Sequence, residues 1–235
     1  MAQSFVVTAN ALTLTEAHES ALSGPFLRFL DIDGAAVSTI GAVLGSETIS
    51  ASDALAARLD EIQFDLGEGP CWDALSTANP VLEPDWIHHE RSWPGFEAAL
   101  GVSSVGALFA FPLMIGPLRL GAIDLYTVRP KMLSDEQVSQ TQLLAKIVSR
   151  MVLRRALRLS EDEWVDPPDT KYSRRVVHQA TGVVLAQLRI APDDALLLIK
   201  GHAFSAGRSV IDISTSIVDG RLKITNDLIE TKDSD

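Results

Sequence analysis

The chain has 235 residues, 46% of them hydrophobic, which is enough for folded cores in one large domain or two ordinary ones. Its formal net charge is −11. It contains one cysteine, so an internal disulfide is excluded. No run approaches the roughly 20 apolar residues of a membrane span, and the first residues do not form a convincing secretory signal. We therefore expect a cytoplasmic protein with no membrane partner.

The first part of the chain predicts a lead-in followed by a hairpin. Residues 1–33 are interpreted as a polar helical lead-in, with a helix from about Thr13 to Leu30. Ala35–Thr39 and Gly41–Ser50 then alternate and are rich in small and β-branched residues, which favours two paired strands.

Short helices and strands continue to about residue 150. The patterns predict helices at Trp72–Thr77, Trp93–Leu100 and Ser134–Ser160, and strands at Pro80–Pro84, Val102–Pro112 and Leu118–Val128. Helices beside several antiparallel strands indicate an α+β sensor-like domain over residues 34–150.

Four segments of this region resemble a GAF domain. They are LDEIQFDLGEGPCWDAL (Leu59–Leu75), PVLEPDW (Pro80–Trp86), WPGFEAALGVSSVGALFAFPL (Trp93–Leu113) and LGAIDLY (Leu120–Tyr126). The resemblance implies a six-stranded antiparallel sheet, flanked by helices, with a pocket on one face. It also implies a small-molecule ligand, a cofactor or dimerisation, and the residues do not choose among these.

Candidate pocket residues each have a structural alternative. Cys71 is a redox sensor, a ligand anchor or a small buried apolar residue. Trp72, Trp86 and Trp93 either line a cavity or belong to the core. His88-His89-Glu90 lacks a third ligand at a convincing spacing, so we predict no metal site. The chain has no P-loop, GxSxG or HExxH motif, and we expect no enzymatic activity.

The segment after residue 150 links two parts of different charge. Residues 151–170 are interpreted as a helix extension and an acidic linker containing EDEWVDPPDT (Glu161–Thr170). Apolar residues beyond Arg150 predict a dimer seam, so a homodimer is expected. The tail, 225–235, is acidic.

Residues 171–224 form a basic segment in an acidic chain. Eight lysines and arginines stand against four aspartates, which leaves the rest of the chain at −15. Such a segment suggests a polyanionic partner. Helical spacing of apolar residues predicts three helices, with Pro192 opening the second and Ser209 capping the third. Phe204 is predicted to lie in their shared core.

This segment resembles the ANTAR domain, a three-helix RNA-binding module of transcription antitermination regulators. The resemblance rests on HQATGVVLAQL, PDDALLLIKGHAF, GRS and VIDISTSIV in one register. It implies binding of paired stem-loops in a leader transcript, so that a terminator hairpin cannot form. The implied RNA-binding residues are Arg174, Arg175, His178, Gln179, Ala180, Thr181, Gly182, Lys200, His202, Ala203 and Arg208.

The sequence departs from the ANTAR pattern at three positions. Thr181 stands where lysine is common, Lys200 where arginine is usual, and Ser214 where alanine is usual. Gly182 is explained either by close helix packing or by close approach of RNA, and Ala180 also fits a core position. Two other functions remain open: a DNA-binding regulator, although the third helix offers almost no basic or amide side chain, and a protein scaffold that has lost RNA binding.

Overall fold

A computed structural model describes residues 2–14, 22–41, 44–88, 92–101, 104–161 and 174–224. The chain divides into two compact units, residues 1–172 (unit 1) and 173–235 (unit 2). The acidic linker from 162 and the tail 225–235 lie outside the described residues.

Unit 1 contains six helices and five strands in its described residues. The helices are α1 (Ala2–Leu14), α2 (Gly24–Leu30), α3 (Ala54–Leu66), α4 (Pro70–Thr77), α5 (Pro94–Leu100) and α6 (Asp135–Glu161). The strands are β1 (Gly34–Thr39), β2 (Glu47–Ala51), β3 (Val81–Glu83), β4 (Ala107–Ile115) and β5 (Leu118–Thr127).

The strands form one antiparallel sheet in the order β2-β1-β5-β4-β3. The GAF resemblance implied six strands, and the described residues form five. The predicted hairpin is confirmed, although β2 begins later than expected. In the register, Ile123 of β5 lies between Val37 and Phe111, and Asp124 lies between Ala36 and Ala110. Since side chains alternate along a strand, these two sets point to opposite faces.

Each face of the sheet is covered. On the face that contains Ile123, a large apolar core includes residues of α1, α2 and α6. The opposite face packs against α3 and α5. The prediction of one helix from Thr13 to Leu30 is wrong: α1 ends at Leu14 and α2 begins at Gly24. Their apolar residues, such as Leu12 and Phe26, are part of the core, because they cover a sheet face that would otherwise meet water.

The long helix α6 begins where the sequence predicted. The Ser134 hydroxyl accepts a hydrogen bond from the Gln137 N–H at 3.2 Å, and the Gln137 amide oxygen accepts one from the Ser134 N–H at 2.9 Å. This reciprocal arrangement is a capping box. Leu144, Val148 and Val152 are buried on one side of the helix.

Unit 2 is a bundle of three helices, α7 (Arg175–Leu188), α8 (Pro192–Ala206) and α9 (Val210–Val218). One apolar cluster joins them, with Val184, Ile199 and Ile213 fully buried. The predicted helix signals are present: Pro192 opens α8, Gly207 ends it in a left-handed conformation, and the Ser209 hydroxyl accepts the Asp212 N–H at 3.1 Å.

Candidate functional site

A buried polar cluster lies between the sheet of unit 1 and its helices. Its members come from four elements: Thr48 of β2, Asp60 and Gln63 of α3, Cys71 of α4 and Asp124 of β5. Asp60, Gln63 and Cys71 are fully buried, and Asp124 is 3% exposed. We call these five residues the polar cluster.

Hydrogen bonds connect the members of the polar cluster. The Thr48 hydroxyl donates to Asp60 Oδ2 at 3.0 Å, and Gln63 Nε2 donates to Asp124 Oδ2 at 3.3 Å. The Gln63 Oε1 accepts the N–H of Cys71 at 2.9 Å. Gln63 therefore ties the start of α4 to the carboxylate of the central strand β5.

The environment of Asp124 favours its uncharged form. Burial, and then the neighbouring charge of Asp60, raise the pKa of Asp124 well above its usual value of 3.8. Two ionised carboxylates buried beside each other would repel, so the fold favours the protonated form of Asp124.

The burial of Cys71 indicates a structural role for its thiol. Burial, followed by the charges of Asp124 and Asp60, raises the pKa of its thiol. A protonated and fully buried thiol is a poor nucleophile. The geometry therefore favours the apolar-core interpretation of Cys71 over that of a redox sensor. Trp72 lies beside it, half-buried, and its indole Nε1 donates to the Gln63 backbone oxygen at 2.8 Å.

The other two pocket tryptophans lie together in a second group. Trp86 and Trp93 stack with ring centres 6.2 Å apart and an interplanar angle of 8°. Both are buried, and Trp93 Nε1 donates to Asp73 Oδ2 at 3.0 Å. The structure thus pairs Trp86 with Trp93, and Trp72 with Cys71, where the sequence predicted one set of pocket residues.

Tyr126 and Gly34 stand side by side on the same sheet face. The Tyr126 hydroxyl donates to Asp53 Oδ1 at 3.0 Å, and Asp53 also caps α3 by accepting the N–H groups of Leu55 and Ala56. A Cβ on Gly34 would collide with the Tyr126 ring. Burial and Asp53 raise the pKa of Tyr126, so its hydroxyl stays a donor.

The histidine segment shows no metal geometry in its described part. His88 Nδ1 lies 2.9 Å from Asp85 Oδ2, and this bond lowers the pKa of Asp85. His89 and Glu90 lie outside the described residues. No group of three or more potential metal ligands occurs where the structure describes side chains.

In unit 2, the predicted RNA-binding residues of α7 fall into two sets. Arg175, His178, Gln179 and Gly182 are exposed, and their spacing puts them on one side of the helix, which we call the α7 face. Thr181 is half-buried, and its hydroxyl donates to the backbone oxygen of Val177 at 2.7 Å.

Three residues of the predicted RNA surface are buried. Ala180 is fully buried and Ala203 is 2% exposed, because each fills the centre of the three-helix core. Arg174, which precedes α7, is 6% exposed. The assignment of these three as surface contacts is corrected accordingly.

The polar and apolar residues predicted on and near α8 differ in exposure. Lys200 and His202 are half-buried, and Arg208, just past the helix, is exposed. The Arg208 Nη2 donates to Ser216 Oγ at 3.1 Å. The prediction that Phe204 lies in the core is wrong, because its ring is 75% exposed while Ala203 occupies the inward position.

Sequence reasoning missed the polar cluster. Asp60 and Asp124 are 64 positions apart, and only the pairing of the sheet brings β5 beneath α3. One signal was available: Asp124 interrupts the otherwise apolar run GAIDLY, and carboxylates are seldom buried without a partner.

Residues 12–153 match the GAF domain family, which covers more than half of the chain. The chain belongs to the GAF domain family. This membership gives unit 1 a sensory or ligand-binding regulatory role. The match ends within α6 and does not extend to unit 2. No curated protein matches the sequence.

Solved structures share the fold of unit 1. A GAF domain of a phosphoenolpyruvate-protein phosphotransferase from Coxiella burnetii is 12% identical with a TM-score of 0.52, and the match covers 68% of this chain and 98% of that one. The corresponding Acinetobacter domain is 11% identical with a TM-score of 0.51, covering 71% and 96%. At such identities the likeness establishes the fold alone.

None of the helices in the described residues is both long and apolar enough to cross a membrane.

Proposed function

We propose that this protein is a signal-responsive regulator that binds RNA and acts by transcription antitermination. In this proposal, unit 1 senses a small molecule or dimerises, and unit 2 is an ANTAR-like module that holds paired stem-loops of a leader transcript. The protein regulates without catalysing a reaction.

The α7 face is the observation that carries the proposal. It presents a cation, an imidazole and an amide at Arg175, His178 and Gln179. Gly182 completes it, and a Cβ added there would meet nothing within 4 Å. Helix packing among the described residues therefore does not explain this glycine, which costs about 1 kcal/mol relative to alanine. Close approach of a nucleic acid backbone does explain it.

The composition of α9 favours RNA over duplex DNA as the partner. A recognition helix for the major groove needs several outward basic or amide side chains. The exposed positions of α9 include Asp212 and Val218, and Ser214 and Ser216 are buried. The residues suited to an anion lie instead on α7 and at the end of α8, which fits an RNA hairpin recognised through its backbone and loop.

A dimer would bring two RNA-binding modules together. Leu143 and Leu157 on α6 are 48% and 56% exposed, and their spacing places them on one side of the helix, away from Leu144 and Val148. Pairing through this side would let two copies of unit 2 hold two adjacent hairpins with avidity. Exchanging Leu143 and Leu157 for arginine should convert a dimer to a monomer in sedimentation analysis, and Leu82→Arg, also at an exposed leucine, should not.

The direct test compares RNA with DNA. The full chain is titrated with paired RNA stem-loops and with a duplex DNA of matched sequence, across a salt series. We expect tighter binding to the stem-loops, and Arg175→Gln should reduce the magnitude of the salt slope by about 1, the effect of losing one phosphate contact.

Arg221→Gln is the matched control, since Arg221 bonds Asp219 beyond the end of α9. It should leave the slope unchanged. Equal affinity for both nucleic acids would favour the DNA-binding regulator, and no affinity for either would favour the protein scaffold.

A further inference from the structure

Among the described residues, Phe204 is the only phenylalanine, tyrosine or tryptophan that is exposed, and this exposure suggests a binding partner. Burial of a phenylalanine side chain is favourable, and this exposed ring does not gain from it. A single exposed apolar residue is ordinary, but Phe204 lies in a row. Leu197, Gly201 and Phe204 recur at spacings of four and three, and Leu197 is 68% exposed.

One cation lies on the same side of α8 as this ring. Lys200 precedes Phe204 by four residues, one helical turn. Arg208 follows the end of α8, and its guanidinium donates to Ser216 Oγ of α9. The acidic residues of α8, Asp193 and Asp194, are in its first turn, about 15 Å away along the helix axis. An aromatic ring beside a cation is a surface that binds single-stranded nucleic acids, because bases stack on the ring and phosphates contact the charge.

Gly201 leaves the ring accessible. Side chains of a helix lean toward its N-terminus, so the ring of Phe204 is directed over the turn that holds Lys200 and Gly201. A Cβ on Gly201 would meet nothing within 4 Å, so the described residues do not require glycine there for packing. A larger side chain at this position would cover one flank of the ring.

We propose that Phe204 stacks on an unpaired base in the loop of the bound RNA hairpin. The inference rests on the proposed RNA-binding function and adds a residue that reads the loop. In this arrangement the α7 face and Lys200 contact the backbone, which sets position, and Phe204 contacts a base, which makes the loop necessary.

The experiment uses the full chain and RNA stem-loops whose loop purines are replaced, one at a time, by 2-aminopurine. Phe204→Ala should weaken binding by about 5- to 150-fold, the effect of losing one base–aromatic stack. Fluorescence quenching of one loop position on binding should disappear with it. Phe204→Tyr keeps the ring and should keep both. The salt slope should not change, since no phosphate contact is lost.

Leu198→Ala is the matched control, because Leu198 is exposed on α8 but lies off the row of Leu197, Gly201 and Phe204. It should alter affinity less than twofold. Because Phe204 is exposed, helix content by circular dichroism should be the same in all variants.

The possible results distinguish base stacking by Phe204 from the RNA-binding function on which it rests. If the natural chain binds stem-loops and Phe204→Ala binds equally well, stacking is wrong and the RNA-binding function stands. If the natural chain binds no stem-loop, both are wrong. If Phe204→Ala changes the oligomeric state in sedimentation while RNA affinity is unchanged, the ring is a protein contact and stacking is overturned.

Discussion

The two units differ in where the polar side chains of their candidate sites lie. In unit 1, Asp60, Gln63 and Asp124 are at most 3% exposed and bond to neighbouring elements. In unit 2, Arg175 and Gln179 lie on an exposed helix face, while apolar residues such as Val184, Ile199 and Ile213 fill the core. Changes in the polar cluster should therefore act first on folding free energy, and changes on the α7 face should act first on binding.

The largest expected effect is on the polar cluster. Gln63→Ala leaves both Asp124 Oδ2 and the Cys71 N–H without their partner inside a buried site. We expect the free energy of unfolding of unit 1 to fall by about 3 kcal/mol. Urea unfolding followed by tryptophan fluorescence measures it, since Trp72, Trp86 and Trp93 belong to unit 1.

Gln140→Ala serves as the surface control for this measurement. Gln140 bonds Glu136 on α6 at 3.0 Å, one turn away. Its loss should cost no more than about 0.5 kcal/mol. Equal effects of the two variants would contradict a special role for the polar cluster.

The second prediction concerns the protonation of Asp124 and the pH dependence of stability. Because the pKa of Asp124 is raised above 3.8, the folded chain holds a proton that the unfolded chain releases. The resulting stabilisation is complete below pH 3.8 and is lost as the pH rises through the raised pKa, at about 1.4 kcal/mol per unit of difference. Asp124→Asn keeps the shape without the ionisation.

The free energy of unfolding of Asp124→Asn should therefore increase relative to that of the natural chain as the pH rises. The difference between their free energies of unfolding, measured by urea unfolding from acidic to alkaline pH, should grow and then level off. A constant difference at every pH would show that Asp124 does not carry the proton.

The third prediction separates folding from binding in unit 2. Gly182→Ala should stabilise α7 by about 1 kcal/mol, read as slower amide hydrogen exchange, because alanine is the better helix former. The same change should weaken stem-loop binding about tenfold, a loss of roughly 1.4 kcal/mol of contact.

Gln187→Ala changes an exposed residue on another side of α7 and should leave RNA affinity unaltered. If Gly182→Ala stabilises the helix and RNA binding is unchanged, the glycine has no role in the approach of RNA.

The smallest effect is expected in the core of unit 2. Ser214 is fully buried, and its hydroxyl has no hydrogen-bond partner among the described residues. Ser214→Ala should therefore raise the stability of unit 2 by up to about 1 kcal/mol, detected as slower hydrogen exchange in α9.

Ser216 is the comparison, since it is also buried but accepts from Arg208 and donates to the Asp212 backbone oxygen at 2.9 Å. Ser216→Ala should lower stability by about 1 kcal/mol. Stabilisation by both changes would mean that the hydrogen bonds of Ser216 contribute nothing.

The sequence predicted unit 2 better than the site of unit 1, for a physical reason. Helical spacing is local, so the apolar stripe around Val184 and the cap at Ser209 could be identified directly. The prediction placed Phe204 in the core, whereas its neighbour Ala203 takes the inward position. Both residues are apolar, so their apolar character alone does not show which of the two points inward.

The polar cluster depends on contacts distant in the chain. Asp60 meets Asp124 only after β5 pairs with β1, and the hairpin, the strand patterns and the cap at Ser134 carry no information about that meeting. The stacking of Trp86 on Trp93 likewise depends on how the segment after β3 meets the start of α5. Both required the tertiary structure.

The contact between Gly34 and Tyr126 constrains how this family member can evolve. The Tyr126 ring occupies the space that a side chain at position 34 would need, and its hydroxyl is held by the aspartate that caps α3. A Cβ at Gly34 would also lie 2.5 Å from Asp53 Oδ2, so a substitution there becomes acceptable only after Tyr126 has shrunk and Asp53 has moved. Asp53 then loses one of its four hydrogen-bond donors, which are Ser52, Leu55, Ala56 and Tyr126. Descendants should therefore show positions 34, 53 and 126 changing as a group.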